Sequence, residues 1–99
     1  GQAPAAPANN ASGFNVTAGK DQAFTDVGTA LEAIEGLTIA TRAQLLGSYD
    51  VAFEGSNFLV RVVAVNGGSY VSAVDPRGLP ATAEAPVKLI AALKAKLAP

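Results

Sequence analysis

Hydrophobic and polar residues alternate with a period of two over residues 48–54, where Tyr49, Val51 and Phe53 interleave with Ser48, Asp50, Ala52 and Glu54. That period predicts a strand with one buried face and one wet face. Gly55-Ser56-Asn57 is the expected turn. Residues 58–65 are then apolar at nearly every position and rich in β-branched side chains, which predicts a central strand. Asn66-Gly67-Gly68 contains the Asn-Gly pair of a tight hairpin, since both residues tolerate positive φ. Residues 69–75 return as a third strand, stopped by Pro76, which has no N–H for a ladder.

Around this meander the period changes to that of a helix. Asp21 can cap a helix in which Phe24, Val27, Leu31 and Ile34 share one face, running to about Glu35 and stopped by Gly36. Gly28 lies beside that apolar stripe at a cost of ~1 kcal/mol relative to Ala, which a close approach to the sheet would explain. Asp26, Glu32 and Glu35 fall on its solvated side. Pro86 fits only the first turn of a second helix, which should begin within 83–86 and end near Leu97. Val87, Ile90, Leu93 and Leu97 make its expected inward stripe, and burying each contributes on the order of 1.5–3 kcal/mol.

The remaining segments are shorter. Residues 14–17 predict an edge strand and residues 37–41 another strand. The connection 42–47 contains Leu45-Leu46, unusually apolar for a loop, which either tucks under the sheet edge or offers a contact to a partner. Residues 75–80 are turn-rich. Residues 1–13, built from Ala, Pro, Asn, Gly, Ser and Gln, have no large apolar side chain to bury and are expected as a disordered linker, leaving 14–98 as one domain.

The central strand poses a question of its own. With Phe58, Val60, Val62 and Ala64 toward the helices, the opposite face carries Leu59, Arg61, Val63 and Val65, which is apolar for a surface in water. The N-terminal segment or a partner could cover it, or the opposite register could hold, with the Arg61 stem passing the sheet edge.

Composition narrows the chemistry. Ninety-nine residues make one domain, and a net charge of -1 argues against general attraction to nucleic acid or anionic lipid. With neither Cys nor His, thiolate metal sites, disulfides and Ser-His or Cys-His catalysis are excluded. Lacking Met and beginning at Gly1, the chain reads as a processed or trimmed product. No apolar run approaches the ~18 residues of a membrane span, so a soluble domain is expected. Asp50 and Glu54, if on one strand face, would stand about 13 Å apart, too far for a paired-carboxylate mechanism. Gly67-Gly68 is a turn and not a phosphate loop. No catalytic, cofactor-binding or metal-ligating residue is assigned, no cofactor is expected, and the chain is read as a non-enzyme.

Several of these stretches are similar to a known family. Residues 22–36, with Phe24 near the helix start, the pair Val27-Gly28, the pair Ala30-Leu31 and then Gly36, resemble the first helix of the helix-grip domains of BamC (also called NlpB), the lipoprotein subunit of the outer-membrane β-barrel assembly machinery. Gly47-Ser48-Tyr49-Asp50-Val51 is similar to that family's Gly-x-Tyr-x-Val strand, and residues 72–78 and 88–97 to its last strand and helix. The likeness covers roughly residues 14–98. It departs at Ala43-Gln44-Leu45-Leu46, where the family usually has an Asp/Arg-rich segment. The resemblance implies a periplasm-facing domain of a Gram-negative bacterium, tethered to the outer membrane by an N-terminal lipidated Cys that this chain does not contain.

Together these readings predict an α+β fold in which an antiparallel sheet of four to five strands packs on two helices, helix-grip-like, in the order β-α-β-β-β-β-α. The expected function is non-enzymatic protein contact with outer-membrane assembly subunits, through the groove beside the C-terminal helix, the loop around Leu45 and Leu46, or the face carrying Leu59, Arg61 and Val63. The alternative is a small-molecule or lipid binding module with a pocket between the sheet and the C-terminal helix.

Overall fold

A computed structural model of the chain describes residues 3–99; Gly1 and Gln2, the start of the expected linker, lie outside the described residues. The elements run β1 (Gly13–Val16), α1 (Lys20–Glu32), β2 (Leu37–Ala43), β3 (Ser48–Phe53), β4 (Ser56–Val65), β5 (Gly68–Val74) and α2 (Glu84–Leu97). All five strands form one antiparallel sheet in the order β1-β5-β4-β3-β2, so β4 is central and β1 an edge. Both helices pack on one face of it. This is the α+β fold and element order that the hydrophobic pattern predicts.

Alternation decides which side chains enter the core. Register sets Tyr49 opposite Val60, Val51 opposite Phe58, and both Val62 and Phe14 opposite Val71. All of these are buried, beneath Val27 and Leu31 of α1 and Leu89 and Leu93 of α2. The register of β4 therefore follows the first alternative, with Phe58, Val60 and Val62 turned to the helices and Leu59, Arg61 and Val63 outward. Ala64 runs past the core and is exposed. Gly28 lies where a Cβ would come within 2.3 Å of the Tyr49 hydroxyl, so the glycine does let α1 approach the sheet closely.

Several boundaries differ from expectation for identifiable reasons. Gly19, not Asp21, is the N-cap of α1, and Asp21 lies in the first turn, where its charge suits the helix dipole. The helix ends at Glu32, and Ile34 packs on the core from the following turn, in which Gly36 takes φ 81°. The inward stripe of α2 centres on Leu89, Ile90 and Leu93, with Ala85 and Pro86 ahead of them; Val87 and Leu97 are only half-buried. Adjacent Leu89 and Ile90 made the helix phase ambiguous from sequence, and contact with the sheet resolves it.

The β3–β4 turn is Glu54-Gly55 and not Gly55-Ser56-Asn57. Both turn residues have positive φ, at 50° and 81°, the pattern of a two-residue hairpin loop matched to the strand twist. Phe53 then pairs with Ser56, and Asn57 belongs to β4. At the β4–β5 turn only Gly67 of the Asn66-Gly67 pair takes positive φ, at 84°.

Candidate functional site

The β2–β3 hairpin is built on two irregularities. The first is a bulge in β2: Ile39 pairs with Val51 but Thr41 pairs with Asp50, so the strand phase shifts at Ala40. Without that shift Arg42 would point away from the helices. With it, the Arg42 guanidinium lies 5.8 Å from the Tyr49 ring centroid and 2.7 Å from the Glu32 carboxylate on α1. Burial pushes the Tyr49 hydroxyl pKa above its usual 10.0, an effect that Arg42 opposes and Glu32 reinforces.

The second irregularity is Gly47. It takes φ 68°, its N–H donates to the Gln44 carbonyl at 3.0 Å, and its own carbonyl accepts from Val62 N–H at 2.7 Å. A Cβ there would stand 2.4 Å from the Val62 carbonyl oxygen, so close packing on β4 requires glycine as much as the backbone angle does.

The consequence is a short, clamped tip. Because β2 continues through Ala43, residues 44–47 are all that remain of the connection. Leu45 and Leu46 therefore cannot fold back under the sheet edge, and that expectation is corrected: they are 95% and 74% exposed. The only other exposed large apolar side chain among the described residues is Leu79, at 50%, on the β5–α2 connection.

Leu59, Arg61 and Val63 stand side by side on the outer face of β4, each half-buried. Arg61 has no carboxylate within 4.0 Å among the described residues. Beside Leu59 an open depression of about 400 Å³ is lined by Ala40, Asp50, Val51, Asn57, Phe58 and Pro76. The fold makes the two candidate contacts neighbours in the sheet: Ser48 pairs with Arg61 and the Gly47 carbonyl accepts from Val62 N–H, so the hairpin tip adjoins the end of β4 that carries Arg61 and Val63.

The expected disordered linker differs in its described part. Asn66 N–H donates to the Pro4 carbonyl at 2.8 Å, Asn15 Nδ2 to the Pro7 carbonyl at 2.6 Å, and Asn10 Nδ2 to the Tyr70 hydroxyl at 3.2 Å. Residues 4–10 thus lie along the outer side of β1 and β5, and Val65, where they arrive, is buried. Composition missed this because the segment is held by polar groups, not by apolar burial.

Other candidates resolve into structure. Glu54 sits in its turn and pairs with Lys88 of α2, so it does not share a strand face with Asp50. The same contact raises the Lys88 pKa, through the Glu54 hydrogen bond first and its charge second. Asp75 holds its turn by accepting from Arg77 N–H at 2.8 Å and Leu79 N–H at 3.0 Å. Partial desolvation of this carboxylate is outweighed by the Arg77 side chain and these two N–H groups, and its pKa is lowered. No group of three or more metal-ligating side chains occurs among the described residues. No helix among them is long and apolar enough to cross a membrane.

The space between the sheet and α2 is occupied by Phe14, Val60, Val71, Leu89 and Leu93, all fully buried. Two openings border α2: a groove of about 380 Å³ toward α1, lined by Asp26, Thr29, Ala30, Ala33, Lys96 and Leu97, and a space of about 280 Å³ at its start, where Pro86 faces Ser56, Asn57 and Phe58 of β4. Compared with models of known protein families, with curated proteins and with solved structures, the chain has no significant match.

Proposed function

We propose that this is a non-enzymatic protein-contact domain of the periplasm, acting beside the outer-membrane β-barrel assembly machinery that its helix and strand motifs resemble. The β2–β3 tip is its principal contact, and the outer-face residues Leu59, Arg61 and Val63 form a second. One observation carries this reading: two consecutive leucines stand 95% and 74% exposed on a turn whose base is clamped to β4. Burial in a partner's pocket is worth about 1.5–3 kcal/mol for each such side chain. A short turn fixed by Gly47 presents them with little further ordering to be done, which favours binding.

The test is a pull-down from detergent-solubilised outer membranes with this domain as bait and a Leu45→Asp/Leu46→Asp bait as control. Recovery of β-barrel assembly subunits by the first and their loss from the second is the expected result. If both baits recover the same proteins, the tip is not the contact. If assembly subunits come down with neither, the proposed setting is wrong.

A small apolar ligand is the second reading, favoured by the depression beside Leu59 and Phe58, whose volume of about 400 Å³ falls in the range of ligand sites. Native mass spectrometry of the purified protein separates the two, since a carrier retains a ligand and a contact domain does not.

A further inference from the structure

The N-terminal segment is held in the manner of a bound peptide. Its two ordered carbonyl contacts, from Pro4 to Asn66 N–H at 2.8 Å and from Pro7 to Asn15 Nδ2 at 2.6 Å, are three residues apart. Three residues make one turn of polyproline geometry, which returns successive carbonyls to the same side of an extended chain. The receiving surface is shaped for this. Gly13 has no side chain, and a Cβ there would meet the Tyr70 hydroxyl at 2.3 Å and two ring carbons at 2.5 and 2.7 Å, so the ring lies across β1 and its hydroxyl accepts from Asn10 Nδ2. Asn9 completes the grip by accepting from both Asn15 N–H and Asn15 Nδ2, at 2.8 and 3.0 Å.

Two features mark this occupant as replaceable. Residues 4–11 are exposed and contribute nothing to the core, whose members begin at Phe14, so the segment can leave without opening the domain. Asn15 Oδ1 is also buried beneath it with no donor, and the segment's prolines have no N–H to offer. No residue before Lys20 carries a side-chain charge, and Asn15, Asn66 and Tyr70 carry none either, so the match is between neutral surfaces.

We propose that the outer sheet edge formed by Asn15, Tyr70 and Asn66 N–H is a recognition groove for an extended, uncharged, Ala/Pro-rich peptide segment of a partner protein, kept closed in cis by residues 4–10. The groove reads main-chain carbonyls at a three-residue spacing and an amide side chain against Tyr70. The tethered copy competes with any free one.

The test uses the full chain carrying Asn9→Ala and Asn10→Ala, which releases the strap's own hooks and leaves the groove intact. The probe is a capped peptide of residues 3–12, titrated into isotope-labelled protein while the amide signals of Asn15, Asn66 and Tyr70 are followed by NMR. Saturable shifts at these positions, with a Kd at least tenfold lower than for the unaltered chain and lost on adding Asn15→Ala, are expected. Unshifted Val51 and Val62 signals, from strands that the segment does not touch, check that the fold is kept. No saturable shift at millimolar peptide, or equal affinity for altered and unaltered chains, overturns the proposal. So does concentration-dependent dimerisation of the unaltered chain that the peptide fails to reverse, which would assign the groove to a second copy's segment.

Discussion

The Tyr49 hydroxyl donates to the Phe24 carbonyl at 2.6 Å while the two rings stack with centroids 4.3 Å apart, so one β3 side chain fixes α1 to the sheet in two ways. Gly28 makes room for that hydroxyl. Tyr49→Phe keeps the stack and should cost about 0.5–1.5 kcal/mol, the net worth of a buried hydrogen bond. Helix propensity alone would make Gly28→Ala stabilising by roughly 1 kcal/mol. Here the added Cβ meets the hydroxyl at 2.3 Å, and the substitution should destabilise instead. In the Tyr49→Phe background the nearest remaining atom is the ring carbon at 3.1 Å, so the two costs should fall short of additive. Urea unfolding of the two single variants and the double variant measures this; strict additivity would refute the steric account.

Two groups give the stability curve opposite edges. Tyr49 has a folded pKa above its usual 10.0, chiefly from burial. Its contribution is complete below pH 10 and is lost as pH rises toward the folded value, because the unfolded tyrosine sheds its proton first. Asp75 has a folded pKa below its usual 3.8, held there by Arg77 and the N–H groups of Leu79 and Arg77 against partial desolvation. Its contribution is present above pH 3.8 and declines as pH falls through the lowered value. Denaturant melts across pH should show both slopes, with Tyr49→Phe flattening the alkaline one and Asp75→Asn the acid one.

Glu54 serves two demands that conflict. Its φ of 50° suits Asn or Gly, yet its carboxylate pairs with Lys88. The pair is exposed and weakens with salt, whereas the backbone cost does not. Glu54→Gln removes the charge and keeps a long side chain at the turn; Glu54→Asn removes the charge and suits the turn. The Asn variant should be the more stable of the two by about 0.5–1 kcal/mol. Thermal unfolding in low and high salt checks the ordering, which should hold in both.

Leu45→Asp and Leu46→Asp should leave stability within about 0.5 kcal/mol of the unaltered chain, because neither side chain touches the core. Gly47→Ala, three atoms of backbone away, should be costly, since its Cβ collides with the Val62 carbonyl. Calorimetry on the three variants separates a tip that serves contact from one that serves folding.

Much of this architecture was legible along the chain, because local physics suffices for it. The alternation of Tyr49, Val51 and Phe53 identified a half-buried strand, the β-branched run placed β4 at the centre, and Pro86 located the start of α2. The special position of Gly28 was also legible, as a helix residue too costly to be there without a close neighbour. Leu45 and Leu46 could be singled out, but not their exposure: that depends on how far β2 extends, which its pairing with β3 decides. Arg42 was unreadable as a partner of Tyr49 and Glu32, because one bulged residue reverses the strand phase. The strap of residues 4–10 lay deepest out of view. Its apolar content promises no burial, and its order comes from Asn15, Asn66 and Tyr70, brought to one sheet edge only by tertiary folding. Periodicity determines which side of an element is buried; where a polar group finds its partner is a property of register and topology, and only the folded chain supplies it.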